Sequence, residues 1–384
     1  MATPKLRFKE FDGGWTKSTI QFFMDNNFIL DQMDGNHGEL YPKSEEFSAT
    51  GVPYISATDF SFGDVNFATC KRLPIERAKL FKKGIAKNGD VLFAHNATVG
   101  PVAILKTDLD FVILSTTATY YRCEATYLNN HYLKNYFESD FFVQQYFGIM
   151  SQSTRNQVPI TTQRKLNIAV PNIQEQTKIA SFLSAVDEKI SQLTQKHELL
   201  SQYKQGMMQK LFSQQIRFKA DDGSEFGEWE EVALSEIAVI TMGSSPKSEN
   251  YNEILNGLPL LQGNADIKNR KSLPRLYTSE ITRKCNVGDI LLSVRAPVGF
   301  VAISEHYACI GRGLCSIKAN PNYLQGFIYQ WLLSKENSWG SLSQGSTFES
   351  VNSDQIKNLS IQIPCLEEQT KIANFLSAID QKIE

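Results

Sequence analysis

The chain has 384 residues and a formal net charge of −2, so it is too long for one hydrophobic core and carries no overall basic excess. Its content of 42% hydrophobic and 21% charged residues is that of an ordinary globular protein. No apolar run approaches the roughly 18 residues of a membrane span, and the first residues do not resemble a signal peptide. The 6 cysteines and 5 histidines are scattered without metal-ligand spacing, which argues against a metal site and favours a reducing cytoplasm.

Short β-type runs followed by an aromatic-rich segment predict a compact α/β module in the first 150 residues. The runs occupy residues 52–56, 91–94, 101–105 and 116–121. We predict a single helix over residues 127–147 and expect its aromatic side chains to fill the core rather than to form a stacking platform. Between the first two runs, residues 71–87 carry seven basic side chains against one acid, Glu76.

A long helix is predicted next, over about residues 173–212, with Asn172 and Glu175 forming a start that is similar to a capping box. Large, mostly apolar residues then recur at alternating steps of four and three, which is the 3.5-residue period of a coiled-coil seam. The seam comprises Ile179, Leu183, Val186, Ile190, Leu193, His197, Leu200, Lys204, Met207 and Leu211. About 38 helical residues at 1.5 Å each give a rod of roughly 57 Å. The alternative is a long surface helix packed on its own domain.

The second half of the chain repeats this order of elements. Its β-type runs occupy residues 258–261, 290–294 and 300–303, and residues 323–339 form the aromatic-rich segment. Residues 268–284 carry six basic side chains against Glu280, and a shorter helix covers about residues 366–384. The seam of that helix consists of Ile372, Leu376, Ile379 and Ile383. Because the intervening domain must bring the chain back, we expect the two helices to pack antiparallel.

These similarities reflect an internal duplication. Residues 175–190 return as residues 368–383 with 13 of 16 positions identical, and the block that begins Gly89-Asp90 returns at Gly288-Asp289. A period near 200 residues is far above that of solenoid repeats, so each copy is a whole domain with its own helix. A basic run is often only a solvated surface. Its recurrence at equivalent places in both copies favours phosphate contacts at two points along one duplex.

Residues that differ between the copies within this common frame are candidates for reading bases. His95, Asn96 and Thr98 of the first copy correspond to Val294, Arg295 and Pro297 of the second. Arginine pairs naturally with guanine and asparagine with adenine in the major groove. After the shared Ser-Thr pair, Arg155-Asn156 likewise corresponds to Phe348-Glu349, while the shared serines are candidates for backbone positioning. The alternative for each residue is neutral variation of a surface loop.

The predicted DNA-binding residues therefore form one set of charged and polar side chains. They are Lys71, Arg72, Lys79, Lys82, Lys83, His95, Asn96, Thr98, Ser153, Thr154, Arg155, Asn156, Lys268, Arg270, Lys271, Arg275, Arg295, Ser346 and Thr347. No catalytic motif accompanies them: the sequence has no P-loop, no GxSxG, no HExxH and no amino-methyltransferase signature. We expect a protein that is not an enzyme.

The helix-opening segments carry a family resemblance. Pro171-Asn-Ile-Gln-Glu-Gln-Thr-Lys-Ile-Ala and Pro364-Cys-Leu-Glu-Glu-Gln-Thr-Lys-Ile-Ala, within the two-fold layout, resemble the specificity subunit of type I restriction-modification systems. The resemblance spans nearly the whole chain. It implies an α/β (α+β) fold with two target-recognition domains, residues 1–150 and 214–344, separated by long antiparallel coiled-coil helices in conserved regions 151–213 and 345–384.

The resemblance also implies partners. Each domain would read one half of a bipartite site on double-stranded DNA, while the helices fix the gap and dock two methyltransferase subunits. Those subunits use S-adenosylmethionine to methylate adenine after flipping it, and motor–nuclease subunits that need ATP and Mg²⁺ can join them. The chain itself would hold no cofactor and no metal, and would act in a bacterial or archaeal cytoplasm.

The second helix is shorter than the family pattern by about twenty residues. We therefore expect Leu200, Met207 and Leu211, at the far end of the first helix, to be exposed or covered by a partner subunit. The competing hypothesis from a different class is a duplicated, non-catalytic protein–protein adaptor whose basic runs are incidental.

Overall fold

The structure is a computed structural model that describes residues 4, 6–35, 40–150, 156–339 and 350–383. The chain forms two compact units, Met1–Ser191 and Gln192–Glu384, and each contains one copy of the repeat. Within the described part of the chain, no helix combines the length and apolar character that a membrane crossing requires. The described residues also contain no cluster of three or more His, Cys, Asp or Glu side chains suited to a metal ion.

The first unit packs short helices against small sheets. Its strands are β1 (Thr16–Thr19), β2 (Ile29–Asp34), β3 (Val52–Ile55), β4 (Phe60–Ser61), β5 (Asp64–Val65), β6 (Lys71–Leu73), β7 (Ile85–Ala86), β8 (Val91–Asn96), β9 (Thr98–Ile104), β10 (Val112–Leu114), β11 (Ala118–Cys123) and β12 (Asn167–Val170). Its helices are α1 (Ile20–Asp25), α2 (Ile75–Ala78), α3 (Asn130–Glu138), α4 (Asp140–Met150), α5 (Ile160–Gln163) and the start of α6 (Ile173–Phe212). The strand orders are β6-β3-β10-β7 and β2-β11-β8-β9, and β1 pairs with β12 directly before α6.

The second unit repeats this topology. Its strands are β13 (Glu230–Ala233), β14 (Ala238–Met242), β15 (Tyr251–Asn252), β16 (Leu258–Leu261), β17 (Ile267–Lys268), β18 (Lys271–Ser272), β19 (Leu276–Thr278), β20 (Lys284–Cys285), β21 (Ile290–Ser293), β22 (Val301–Ile303), β23 (Ala308–Ile310), β24 (Leu314–Ala319) and β25 (Ser360–Ile363). Its helices are α7 (Leu234–Ile237), α8 (Gln325–Lys335), α9 (Ser353–Lys357) and α10 (Leu366–Ile383). β16 runs parallel to β23 as β3 does to β10, and β13 pairs with β25 before α10 as β1 does with β12 before α6.

The aromatic-rich segment of the first unit is two helices, so the prediction of one helix over residues 127–147 is wrong. Ser139 adopts an extended conformation and separates α3 from α4. The turn lets helical segments on both sides pack inward, with the rings of Phe137 and Phe142 stacked at 4.4 Å and both contacting Phe93. These rings, with those of Tyr132 and Tyr146, fill the core as predicted, whereas Tyr127, Phe141 and Phe147 are exposed.

α6 and α10 have the predicted extents, and in the second unit they run antiparallel. Lys204 Nζ lies 2.5 Å from Asp380 Oδ1, while Gln214, just after α6, bonds Gln362, just before α10, at 2.9 Å. Residue numbers therefore rise along α6 as they fall along α10. The last turns of α6 contribute Met208 to the same core as the α10 seam.

The prediction that the C-terminal end of α6 is exposed is wrong. Leu211 is 0% exposed, while Leu200 and Met207 are half-buried. Antiparallel packing places the short α10 against the last turns of α6, so the stretch without cover lies nearer the middle of α6. There Val186 is 39% exposed and Ile190 is 56% exposed.

Comparing the two units shows that this stretch of α6 lacks the apolar cover that the equivalent part of α10 has. In the second unit Ile372, Leu376 and Ile379 are buried in the core that includes the end of α6. Their counterparts in the first unit are Ile179 and Leu183, which are half-buried, and the exposed Val186. We call the apolar surface formed by Ile179, Leu183, Val186, Ile190 and Leu193 the open face of α6.

Each long helix is fixed at its start by a buried glutamate. The Glu175 carboxylate accepts hydrogen bonds from Arg7 Nε and Nη2, both at 2.6 Å, and from Trp15 Nε1 at 3.2 Å. Glu368 accepts from Arg217 Nη2 at 2.8 Å and from Trp229 Nε1 at 3.1 Å. We call these two networks the helix-start clamps. The hydrogen bond that each arginine donates to its glutamate raises the pKa of that arginine, so the guanidinium stays charged.

The clamp explains part of the repeated Glu-Gln sequence. Asn172 Oδ1 accepts from the Glu175 backbone N–H at 2.9 Å, as predicted, but the Glu175 carboxylate is engaged by Arg7 and Trp15. The neighbouring Gln176 bonds the backbone of Asn129 and Tyr127, and thereby ties the helix to the segment before α3. Gln369 makes the equivalent bond to Leu324 in the second unit.

The clamp predicts the effect of Glu368→Ala on stability. Removing the carboxylate leaves the buried Trp229 Nε1–H without an acceptor, which should cost about 1–3 kcal/mol and lower the melting temperature of the second unit. The control is Glu367→Ala, because Glu367 is an exposed neighbour on the same turn. Thermal unfolding followed by circular dichroism measures both, and equal melting temperatures for the two variants would contradict a structural role for the clamp.

Candidate nucleic-acid interface

Three connections meet at one edge of the first unit. The Ser115 backbone N–H donates to Ile55 O at 2.8 Å, which joins the chain after β10 to the end of β3. Thr117, which follows β10, bonds the segment after β3 and the end of β8. Its Oγ1 accepts from Ala57 N at 2.9 Å, and its carbonyl accepts from His95 N at 2.9 Å. The segments that follow β3 and β10, and the end of β8, are therefore held side by side.

The second unit repeats this junction. Gly311 N donates to Leu261 O at 2.8 Å, and Val294 N donates to Gly313 O at 2.9 Å. A cleft of about 610 Å³ opens at this junction. It is lined by Ser245, Pro246, Ser248, Tyr251, Gln262, Gly263, Asn264, Ser293, Arg295, Ala296, Arg312 and Gly313. Convergence of polar side chains in a cleft is what a recognition site needs.

Several predicted base-reading residues lie together at this junction. Asn96 and Thr98 flank Ala97 in the turn between β8 and β9, and Ala97 N donates to Asn156 O at 3.0 Å. In the second unit Arg295 occupies the position of Asn96 and forms a β-bridge with Ser350. The structure therefore places Asn96 and Thr98 of the first unit, and Arg295 of the second, at equivalent positions of the two junctions, and their contact with bases stays a prediction.

His95 is an exception. Its side chain is 5% exposed, and its Nδ1 lies 2.9 Å from Thr119 Oγ1 inside the unit. The predicted contact of His95 with a base edge is wrong, because alternation along β8 directs this side chain into the core. Five further predicted residues, Ser153, Thr154, Arg155, Ser346 and Thr347, lie outside the described residues.

The basic run of the first unit presents exposed lysines. Lys71 begins β6 beside Tyr54 of β3, at the sheet edge that leads into the junction. Lys82 and Lys83 are exposed after α2. Arg72 donates to Gly51 O at 3.2 Å, and Lys79 pairs with Glu76 at 3.0 Å.

The basic run of the second unit is largely neutralised. Arg270 forms a two-pronged ion pair with Glu336, at 2.7 and 2.8 Å, and also donates to Val301 O. A third contact, from Val301 N to Glu336, makes this pair part of the structure around β22. The predicted phosphate contact of Arg270 is wrong, because its guanidinium is already bound to a carboxylate.

Two more members of this run also face acids. Lys271 lies 2.9 Å from Glu305, and Arg275 Nε lies 2.9 Å from Asp266 in the turn after Gln262. Lys268 is exposed, and the structure records no ion pair for it among the described residues. Of the predicted phosphate-binding residues here, Lys268 is therefore the one whose charge is least compensated.

The repeated Gly-Asp block is structural. The Asp90 carboxylate accepts from Lys87 N at 2.7 Å and from Arg122 Nη2 at 2.7 Å, and burial raises the pKa of this carboxyl. Asp289 likewise accepts from Asn286 N at 2.8 Å and from Ser316 Oγ at 2.9 Å. Each aspartate closes the turn before β8 or β21, the strand that leads to the junction. It thereby fixes the start of the strand whose far end leads to Asn96 or Arg295.

Comparison with known proteins identifies the family. The model of the type I restriction modification DNA specificity domain matches residues 31–202 and 227–384, most of both units. The chain belongs to the type I restriction-modification specificity family. It is a DNA-recognition subunit of a type I system and not a catalytic component. The family assignment therefore favours DNA recognition over the adaptor hypothesis.

Relatives of this specificity subunit agree with the assignment. A protein of Methanocaldococcus jannaschii that is assigned as the type I restriction enzyme MjaX specificity subunit is 35% identical over 309 residues, which cover 77% of this chain and 72% of that protein. The type I restriction enzyme MjaVIII specificity subunit of the same organism is 29% identical and covers 57% of this chain and 56% of that protein.

Solved structures show the same fold. A chain from a study of complex assembly and conformational transition of the type I R-M system matches with a TM-score of 0.58 and 25% identity, covering 97% of this chain and 91% of that chain. The S subunit of a type I system from M. genitalium matches with a TM-score of 0.64 and 16% identity, covering 99% and 93%.

The sequence predictions for this specificity subunit omit two sets of residues. The clamp residues Arg7 and Trp15 correspond to Arg217 and Trp229, and the repeated Arg-Phe-Lys triplet at residues 7–9 and 217–219 was the signal that could have found them. Arg312, which lines the cleft, was also omitted. It lies outside the basic runs, and its place beside Arg295 follows only from the tertiary fold.

The ion pair of Arg270 gives a stability prediction that separates it from its exposed neighbour. Arg270→Ala should destabilise the second unit by about 1–3 kcal/mol, because Glu336 loses a charged hydrogen-bond partner. Lys268→Ala should change the free energy of unfolding by no more than about 0.5 kcal/mol, as expected for an exposed surface change. Chemical denaturation of both variants measures this, and a destabilisation by Lys268→Ala equal to that of Arg270→Ala would contradict the assignment.

Proposed function

We propose that each unit of this specificity subunit reads one half of a bipartite duplex target at the junction after β3, β8 and β10 or after β16, β21 and β23. The observation that carries this proposal is the repetition of one junction frame with different side chains at its rim. Asn96 in the first unit stands where Arg295 stands in the second. A common frame with different polar groups is what two different half-sites require.

Positive charge near each junction supports the proposal that this surface binds DNA. Lys71 begins β6 beside the strand end that enters the junction of the first unit, and its side chain is exposed, as is that of Lys268 in the second unit. Exposed cations beside polar base-reading groups can hold the phosphate backbone while the groove is read. The overall charge of −2 is compatible with this role because the cations concentrate locally.

α6 supports the second part of the proposal, the fixed gap between half-sites. This helix of 40 residues belongs at its start to the first unit and at its end to the second. A continuous helix is stiff over this length, so we propose that it sets the number of unread base pairs between the half-sites.

We further propose that the open face of α6 docks the methyltransferase subunits. Ile190 and Leu193 are exposed large apolar side chains on one side of a helix. A contiguous exposed apolar surface commonly marks a protein–protein contact. S-adenosylmethionine, ATP and Mg²⁺ then belong to the partner subunits.

Retention of duplex DNA as salt concentration rises tests the first part. The chain, assembled with its methyltransferase subunits, should lose affinity steeply with salt, as expected for phosphate contacts. Lys82→Ala/Lys83→Ala should weaken binding equally for all sequences and reduce the magnitude of the log–log salt slope by about 1.8 if both lysines contact phosphates. The control is Lys17→Ala/Lys165→Ala, which removes the same charge from exposed positions of the same unit.

Two results would oppose this part of the proposal. Absence of duplex binding at low salt, with and without the partner subunits, would favour the adaptor. An equal loss of affinity in the control variant would show that net charge, and not the Lys82–Lys83 surface, governs binding.

Copurification tests the docking surface. Val186→Asp/Ile190→Asp places two charges on the open face and should reduce recovery of the methyltransferase subunits at least tenfold, because apolar contact area is replaced by buried charge. Gln195→Asp, on the opposite side of the helix, is the matched control. Unchanged recovery with the double variant, while its helical content matches that of the unsubstituted chain, would remove the open face as the docking surface.

A further inference from the structure

The junction of the second unit contains an arginine that neither basic run includes. Three positions at each junction are equivalent by their backbone hydrogen bonds. The first is the residue after β3 or β16, the second is the last residue of β8 or the second residue after β21, and the third is the second residue after β10 or β23. In the first unit they are Ser56, Asn96 and Thr116. In the second unit they are Gln262, Arg295 and Arg312.

Glycines bring Arg312 next to Gln262. A Cβ on Gly313 would lie 2.2 Å from Gln262 O, and a Cβ on Gly311 would lie 3.2 Å from Gln262 Cα. Only a Gly-Arg-Gly turn lets the chain approach Gln262 this closely. Arg312 N is also held by Ser245 Oγ at 3.1 Å, so the backbone that carries this side chain is fixed.

Arg295 and Arg312 differ from Arg217, Arg270 and Arg275 of the second unit in having no counter-charge among the described residues. Arg270 and Arg275 are bonded to Glu336 and Asp266. Arg295 and Arg312 are exposed, and the structure records no side-chain partner for either among the described residues. Among the described residues that line the cleft, none carries a carboxylate.

The cleft also offers an unused acceptor. Asn264 Oδ1 is buried and lacks a hydrogen-bond partner among the described residues. A buried acceptor of this kind is costly unless a ligand or water donates to it. The cleft thus presents two guanidinium groups at a single edge of the unit, with the amide of Asn264 in its lining.

We propose that Arg312 reads a guanine in the half-site recognised by the second unit, with Arg295 beside it. The arginine fork donates to guanine O6 and N7 in the major groove, a pattern that no other base edge offers there. The equivalent positions of the first unit carry Asn96 and Thr116, so the half-site read there is recognised without arginine at these positions. This inference rests on the proposed function, because it names the base that one junction selects.

Mapping of methylated adenines tests the proposal. Cells carry the complete complex with either the unsubstituted chain, Arg312→Ala or Arg312→Gln, and their genomic DNA is sequenced for methylation. Arg312→Ala should make one guanine position of one half-site degenerate, with discrimination at that position falling about 5- to 150-fold. Arg312→Gln should move the preference at that position from guanine towards adenine, because glutamine pairs with adenine N6 and N7.

The matched variant is Thr116→Ala at the equivalent position of the first unit, which should alter only the other half-site. An unchanged methylation motif with Arg312→Ala would overturn the proposal, because Arg312 would then contact no base. An equal loss of methylation at all sequences would also overturn it and would indicate a phosphate contact. Melting temperatures equal to that of the unsubstituted chain exclude misfolding as the cause. Absence of duplex binding by the unsubstituted complex is a different result, and it would overturn the proposed function together with this inference.

Discussion

The buried carboxylate at the start of each long helix is the interaction on which the rest of the architecture depends. Glu175 and Glu368 each join a helix to an arginine and a tryptophan from the segment that begins the same unit. β1 and β13 follow these segments and pair with the strands that lead into α6 and α10. The beginning and the end of each unit are therefore locked to one helix, and a rigid helix can carry its unit as one body.

Within that frame, the recognition surface that we propose is the junction where three chain segments meet. The backbone bonds that build the junction are the same in both units, from Ser115 to Ile55 in one and from Gly311 to Leu261 in the other. Because backbone groups and the Asp90 and Asp289 turns hold the frame, the side chains at its rim are free to differ. Duplication of one fold can thus give two half-site specificities without a change in architecture.

The apolar seam residues at the starts of α6 and α10 are buried to different extents, and this difference has a physical consequence for assembly. The α10 seam is buried by the end of α6, whereas the equivalent seam residues at the start of α6 remain partly exposed. An apolar surface of this kind is costly in water, and a partner that covers it gains the same free energy. Assembly and recognition can therefore use different surfaces of the same chain.

The duplication, the extents of α6 and α10 and their antiparallel packing could be predicted from periodicity and repetition, which can be read along the chain. Which polar groups are available could be known from the folded structure alone. Arg270 is neutralised by Glu336, 66 residues away, His95 is turned into the core, and Arg312 joins Arg295 across two strands. Burial and ion pairing depend on residues remote in sequence, and no local pattern records them.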